Sequence, residues 1–366
     1  METSSFREFF SGWAVQNLLV AVTLIAITVI VWSASRREYW RLAYREVRHR
    51  RMAVISFWIL VGYAFIALLD SVGWRRPAVN SENGELLRNA QTGEVVYDSG
   101  HSALDYLLTN LRNARETTYS APLATYESGH PDKPLAFPRR HLLGTDRIGE
   151  DVFFQALKSI RTGIIIGLLT TLLAVPFALF LGIVSGYFGG WIDDVLQYIC
   201  VVLSSIPTIL FIAAFMLIFG QGLPQLCFAM GIASWTGLYR LLRGETMRLR
   251  EAEFVQAAVG LGVRRGLILL RHIVPNVLHL VLITAVLRFS SEVLAEAALT
   301  YLGIGVGADT MSWGTMINDA RTELTRTPVV WWKLTAAFVF MLGLVLPANL
   351  FGDAVRDALD PRLRTQ

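Results

Sequence analysis

The sequence predicts an all-α polytopic membrane protein, and three observations carry that prediction. Hydrophobic residues make up 54% of the 366 positions and charged residues 17%, against roughly 25% charged in a soluble domain. Apolar runs of about 20 residues, the length that crosses the hydrocarbon core of a bilayer, recur along the chain. Arginine gathers in some of the links between these runs and not in others, as it does where links face the cytoplasm. The net charge of +4 excludes a nucleic-acid-binding domain with a strongly basic surface, and the apolar content excludes a disordered chain or a coiled coil. It also speaks against a soluble two-domain enzyme.

Seven runs qualify as spans: residues 14–32, 52–69, 164–184, 195–219, 223–242, 276–304 and 329–350. The link 36–51 holds seven Arg and two Glu, and the link 240–272 holds seven Arg and three Glu. Both are expected inside. The stretch 71–138, with six basic and eight acidic residues, and the link 305–328, with two and three, are expected outside. This alternation predicts an outside N-terminus and a cytoplasmic C-terminus. For the first run, Arg7 is balanced by Glu8 and the Arg cluster follows it. These reversed flanks favour an N-out anchor over a cleaved signal peptide, although Ser33-Ala34-Ser35 resembles a cleavage site.

Four regions follow: 1–51, a helix and a basic link; 52–69, a second helix; 70–140, an external polar segment; and 141–366, a membrane core carrying a cytoplasmic loop at 243–275. The polar segment is rich in turn formers, with a possible hairpin across 89–93 and a short helix over 104–111. Cys200 and Cys227 sit in apolar stretches, form no C-x-x-C and have no His at ligand spacing, so no metal is expected. No G-x-x-x-x-G-K-[ST] occurs, so the chain lacks a P-loop for ATP phosphates.

The inner loop carries the clearest functional signal. Phe254, Ala257, Ala258 and Leu261 recur at i, i+3, i+4, i+7, one face of a helix. Glu251 and Glu253 stand at its start, where the helix dipole favours anions. Gly260 and Gly262 end it. A second short helix is expected over 263–274, broken by Pro275. The first helix has two readings. It rests on the membrane surface, or its small residues approach a groove on a partner protein.

Gln256-Ala257-Ala258, then Gly262, then Ile273-Val274-Pro275, resembles the "EAA" loop of ATP-binding-cassette importer permeases. Gln256 stands where that family has Glu, and Val274 where it often has Leu. Further motifs resemble the dipeptide/oligopeptide/nickel branch, and its C-type subunit. Residues 141–152 are similar to "LGTDxxGRDV", with Glu150 at the Arg position. Residues 296–305 are similar to "EAxLSFLGLG", with Ser312-Trp313-Gly314 following, and residues 352–364 to "GDxLRDxLDPRLR". The resemblance covers about 140–366.

It implies a type I importer permease core of about six helices, with one extra N-terminal helix and a small external segment. The function implied is half of a translocation pathway for di- or oligopeptides or similar small solutes in a bacterial inner membrane. The loop residues Glu253, Phe254, Gln256, Ala257, Ala258, Gly262 and Pro275 would couple to an ATPase. The implied partners are a second homologous permease subunit, two cytoplasmic ABC ATPases and an external solute-binding protein, besides the lipid bilayer and with no nucleic acid. The chain would bind no cofactor and be no enzyme, ATP being used by the partners.

Arg288, Glu292 and Glu296 lie at i, i+4, i+8 of the sixth run and share one helix face. A charge at mid-bilayer costs about 2.5–3.5 kcal/mol on insertion scales, so lipid exposure is disfavoured. An Arg288–Glu292 ion pair that fixes packing, a place on the pathway or the permease interface, and a proton relay all fit. The competing function is an ion-coupled secondary transporter, for which the sequence offers no internal repeat.

Overall fold

The computed structural model describes residue 17 and residues 47–74, 101–307 and 309–359. In chain order the elements are helix α1 (Arg51–Ser71), strands β1 (Gly73–Trp74) and β2 (His101–Ser102), and helices α2 (Ala103–Leu107) and α3 (Thr109–Arg112). Strands β3 (Tyr126–Glu127) and β4 (His130–Pro134) follow, then α4 (Val152–Phe188), α5 (Gly190–Ser205), α6 (Thr208–Phe219), α7 (Leu223–Arg250) and α8 (Glu253–Gly260). The last are α9 (Arg265–Ile268), a π-helical turn (Leu269–Ile273), α10 (Val274–Tyr301), α11 (Trp313–Glu323) and α12 (Trp332–Leu359). Strands β1 and β2 pair antiparallel, as do β3 and β4. Two compact units result: Met1–Leu42 with Val61–Arg161 and Glu323–Ala336, and Ala43–Leu60 with Thr162–Thr322 and Ala337–Gln366.

Among the described residues, four helices are long and apolar enough to cross a membrane: α1, α4, the run Arg265–Tyr301 and α12. They answer to the expected spans 52–69, 164–184, 276–304 and 329–350. The expected span at 14–32 lies outside the described residues apart from Asn17, as does the possible hairpin across 89–93. The short helix expected over 104–111 is present as α2 and α3. The expected span 223–242 forms the first part of α7, a longer helix whose arginines make it less apolar than the other four.

Two expectations are corrected. The run 195–219 is not one straight span: α5 and α6 meet at an 87° bend. Pro207 has no amide hydrogen, and its ring pushes the preceding residue out of the helical region. Ile206 accordingly adopts φ −84°, ψ 124° and ends α5. Pro275, by contrast, does not break its helix. It sits in the first turn of α10, where no intrahelical amide is needed. The wider π turn before it keeps the chain helical from Arg265 to Tyr301. The Asn276 side-chain amide donates to the His272 carbonyl at 2.6 Å, adding a donor at this junction.

The polar unit is held by buried ion clusters. Lys158 Nζ lies 2.7 Å from Asp105 Oδ1 and 3.2 Å from Asp70 Oδ1, and Arg161 Nη1 lies 3.6 Å from Asp70 Oδ2. Ser102 caps α2 in a reciprocal capping box with Asp105. Around the motif at 141–152, Asp151 caps α4 by accepting the Phe154 amide at 2.9 Å, and His141 Nδ1 lies 2.8 Å from Asp151 Oδ2. Gly149 has φ +74°, and a Cβ there would lie 1.8 Å from the Glu116 carbonyl oxygen. Trp332 Nε1 donates to the Thr145 carbonyl at 2.9 Å. The motif is thus a structural cap on a long helix.

The helical unit packs around two apolar clusters. One joins α4, α5, α7, α8 and α10 through Ala178, Cys200, Trp235, Tyr239, Val255 and Val277. The other joins α4, α6, α7 and α10 through Ile166, Ile212, Leu226, Met230 and Leu299. Glycines let helices approach. A Cβ on Gly182 would lie 3.0 Å from the Tyr239 carbonyl oxygen, and one on Gly186 would lie 2.6 Å from that of Arg243. Gly182-x-x-x-Gly186 is therefore the close α4–α7 contact. Gly163 and Gly167 instead receive the rings of Trp313 and Phe289. Trp313, Trp332 and Tyr187 are buried. Trp191 and Trp331 are exposed.

Two outcomes test this packing. Burial opposes ionisation of Asp105, but hydrogen bonds from Lys158 and Ser102 outweigh it and hold its carboxyl below the usual range. A lowered carboxyl stabilises the fold above its ordinary pKa, and that contribution fades as pH falls below about 4. Lys158→Met is expected to reduce this acid sensitivity, read as the melting temperature of the purified protein between pH 3 and 7. Gly186→Leu is expected to destabilise by about 1–3 kcal/mol through overpacking, read as a lower melting temperature and yield, with Gly244→Ala, where an added Cβ meets nothing within 4 Å, as control.

Candidate functional site

Helix α8 is short, and its ends explain its position. Ala252 enters it with extended backbone and no side-chain cap, and Glu253 stands in the first turn. At the other end Gly262 adopts φ +74°. The Gly262 amide donates to the Val259 carbonyl at 2.9 Å and the Val263 amide to the Ala258 carbonyl at 3.1 Å. These two bonds form a Schellman motif.

The predicted apolar stripe divides between two faces. Ala258 is buried together with Val255, against a cluster that includes Ile268, Ile273 and Val277. Phe254, Ala257 and Leu261 are exposed, Leu261 at 84%. Glu253, Gln256, Gly262 and Pro275 are exposed as well. The family departure at Gln256 has a local account. Its amide nitrogen donates to the Arg250 carbonyl at 2.9 Å, at the end of α7. A carboxylate there lacks the hydrogen to donate.

The three charges on α10 also divide. Arg288 stands 14 residues after Val274 and 13 before Tyr301, near the middle of the helix. Its Nη1 lies 3.6 Å from Glu292 Oε1, and its Nη2 donates to the Ser234 carbonyl. Arg288 and Glu292 line a cavity of about 340 Å³ between α6, α7 and α10, together with Thr208, Ser234, Thr236 and Ser291. Glu296 does not line it. It is 1% exposed and accepts the Thr300 hydroxyl at 2.9 Å. A Cβ on Gly314 would lie 3.0 Å from Glu296 Oε1 and 2.6 Å from Thr300 Cβ. Glu296, Thr300 and Gly314 thus form the joint where α11 returns against α10.

One cluster escaped sequence reasoning. Asp193, at the start of α5, receives Arg243 in bidentate fashion, with Nε to Oδ1 and Nη2 to Oδ2 both at 2.6 Å. The Ser185 hydroxyl donates to Asp193 and lies 2.9 Å from the Tyr239 hydroxyl. This links α4, α5 and α7. The available signals were an Asp in a nearly chargeless turn and the four-residue spacing of Gly182 and Gly186. Cys200 and Cys227 are free and buried, and the described residues hold no His/Cys/Asp/Glu group able to ligate a metal.

A helical core with several apolar spans, a mid-span charged cavity and a surface-presented short helix defines a polytopic solute permease. The family model described as "Binding-protein-dependent transport system inner membrane component" matches residues 178–365. The chain is 34% identical to the oligopeptide transport system permease protein OppC of Bacillus subtilis (strain 168) over 270 residues, 74% of this chain and 81% of that one. It is 35% identical to the dipeptide transport system permease protein DppC of Alkalihalophilus pseudofirmus over 249 residues, 67% of this chain and 81% of that one. It is 33% identical to the glutathione transport system permease protein GsiD of Pectobacterium atrosepticum over 226 residues, 62% and 74% of the two chains. A chain of the inward-facing MetNI methionine ABC transporter overlays with a TM-score of 0.46 at 15% identity, over 57% of this chain and 97% of that one.

The chain belongs to the family of binding-protein-dependent transport system inner membrane components. It is a multi-pass permease subunit of an ABC importer, and the ion-coupled alternative gains no support.

The split of the α10 charges gives an expected outcome. Glu296→Ala leaves the Thr300 hydroxyl without its acceptor and opens a void at the α10–α11 joint. It is expected to lower melting temperature and membrane yield, whereas Glu292→Gln at the cavity leaves both unchanged. Thermal unfolding of the two detergent-purified variants checks this.

Proposed function

We propose that the chain forms half of the pathway of an ATP-driven importer for di- or oligopeptides. Its partners are a homologous second permease, two cytoplasmic ABC ATPases and an external solute-binding protein. The chain binds no cofactor and performs no catalysis of its own. ATP is hydrolysed by the partners, in keeping with the absence of a P-loop from the sequence. The arginine-rich links 36–51 and 240–272 face the cytoplasm, the N-terminus lies outside and the C-terminus inside.

The observation that carries this reading is the division of α8 into two faces. Val255 and Ala258 belong to the apolar cluster that includes Trp235 and Tyr239 of α7 and Val277 of α10. Phe254, Ala257 and Leu261 are left facing outward, as one side of a contact with a grooved partner. Force applied by ATPase closure at the outer face passes through the inner face to α7 and α10. Those two helices line the charged cavity. Alternating access then follows from rocking of these helices.

Co-purification tests the assembly. The tagged chain in mild detergent is expected to bring down two cassette ATPases and a second permease. A chain that emerges alone and imports peptide on a proton gradient without ATP overturns the reading. The coupling contact has a paired test. Ala257→Asp, on the exposed face, is expected to cut ATP-dependent uptake at least tenfold with normal membrane yield. Ala258→Asp, buried against the chain's own core, is expected to lower the yield itself. Normal uptake by the Ala257 variant would remove the docking role.

A further inference from the structure

The cavity between α6, α7 and α10 holds an ion pair that has not closed. Arg288 Nη1 stands 3.6 Å from Glu292 Oε1, beyond hydrogen-bond length, and has no other hydrogen-bond partner among the described residues. The guanidinium is held in place by Nη2, which donates to the Ser234 carbonyl. Asp193 and Arg243 give an internal comparison. That pair, which serves packing, closes with two bonds of 2.6 Å, the geometry a carboxylate and a guanidinium reach when nothing else is required of them. Arg288 and Glu292 are instead one turn apart on α10, and both line a space of about 340 Å³. That size falls within the range of small-molecule sites, about 300–1,000 Å³.

We propose that this cavity is a transient subsite for a zwitterion, taking the terminal carboxylate of a short peptide on Arg288 and its terminal ammonium on Glu292. The proposal rests on the peptide-import reading above and adds where, and by which groups, this chain contacts the peptide.

The charge balance selects the ligand class. A lone anion on Arg288 would face the Glu292 carboxylate across less than 4 Å, and a lone cation on Glu292 would face the guanidinium. A ligand carrying both charges meets each with its opposite and leaves the cavity neutral. It exchanges one long internal pair for two charge-assisted contacts. The hydroxyls of Thr208, Thr236 and Ser291 on the same lining suit the peptide's amide groups. Contacts of this kind are independent of side-chain identity, which suits a passage that must accept different peptides. Because Arg288 and Glu292 already partner each other loosely, the empty state carries no isolated charge at membrane depth, and the ligand can leave again.

The test uses the whole transporter, with its partners, in lipid nanodiscs. The probe is a dipeptide carrying photo-leucine with both termini free. After irradiation, the label is mapped by mass spectrometry. It is expected on residues 230–237 or 288–295. Excess dialanine is expected to suppress it, and N-acetyl-dialanine amide, which has neither charge, is not. Arg288→Gln is expected to reduce labelling at least fivefold, and Arg288→Lys, which keeps the charge, to recover part of it. Glu292→Gln is expected to reduce labelling by the free dipeptide but not by its N-acetyl form. Assembly of each variant with its partners, seen by size exclusion, separates loss of binding from loss of fold.

Label confined to other segments, or equal labelling of wild type and Arg288→Gln, overturns the proposal. So does equal competition by the capped and free peptides. The same label confined elsewhere, with wild-type cells still importing the dipeptide, overturns the subsite and leaves peptide import standing. Wild-type cells that import no peptide overturn the peptide reading and this proposal with it.

Discussion

Polar groups at membrane depth must find their partners inside the protein, because hydrocarbon supplies none. That constraint organises the helical unit. Arg288 reaches the Ser234 carbonyl and Glu292. Glu296 is enclosed by Thr300 and the glycine at 314. At the ends of their spans, Asp193 and Arg243 meet the same need with a bidentate pair backed by Ser185. Each arrangement draws two or three helices together, so meeting the needs of the charges also decides which helices touch. The Gly182 and Gly186 surfaces then permit the backbone approach that brings Arg243 to Asp193.

The same logic separates motifs that build the permease from residues that face its cargo or partners. The stretch around Asp146–Asp151 forms a cap on α4, with glycine required at 149 by a positive φ and a carbonyl in the way of any Cβ. Glu296, Thr300 and Gly305 of the run 296–305 are buried at the joint with α11. Both coincide with family-like motifs in the sequence. The residues left facing open space are Arg288 and Glu292 in the cavity, and Phe254, Ala257 and Leu261 on α8. A functional surface is found by asking which charged or apolar groups the fold leaves uncommitted.

Much of this was legible in the residues. Hydropathy located four of the described spans, and the glycines at 260 and 262 located the end of α8. The span expected at 14–32 falls outside the described residues apart from Asn17. Periodicity failed in two instructive places. A stripe at i, i+3, i+4, i+7 says that Phe254, Ala257, Ala258 and Leu261 are neighbours on a helix. It does not say how far that helix is rotated against the core, and the observed rotation buries Val255 and Ala258 instead. Likewise the i+4 spacing of Arg288, Glu292 and Glu296 says they share a face. It does not say that α11 covers one end of that face while a cavity opens along the other.

By itself the sequence determined that this chain is a membrane-embedded permease, because span length, arginine placement and motif content are local properties of the chain. The tertiary structure decided the rest. It bent α5 against α6 at Pro207 and carried the helix through Pro275. It turned Gln256 back onto Arg250 and set Arg288 and Glu292 beside an open volume while closing Asp193 onto Arg243. The Pro207 bend, the passage through Pro275 and the Gln256 contact are local, whereas the volume beside Arg288 and the Asp193–Arg243 pair depend on which surfaces meet across long sequence separations. No local pattern encodes that meeting, since steric fit and the need to partner buried charges are settled only when the helices pack.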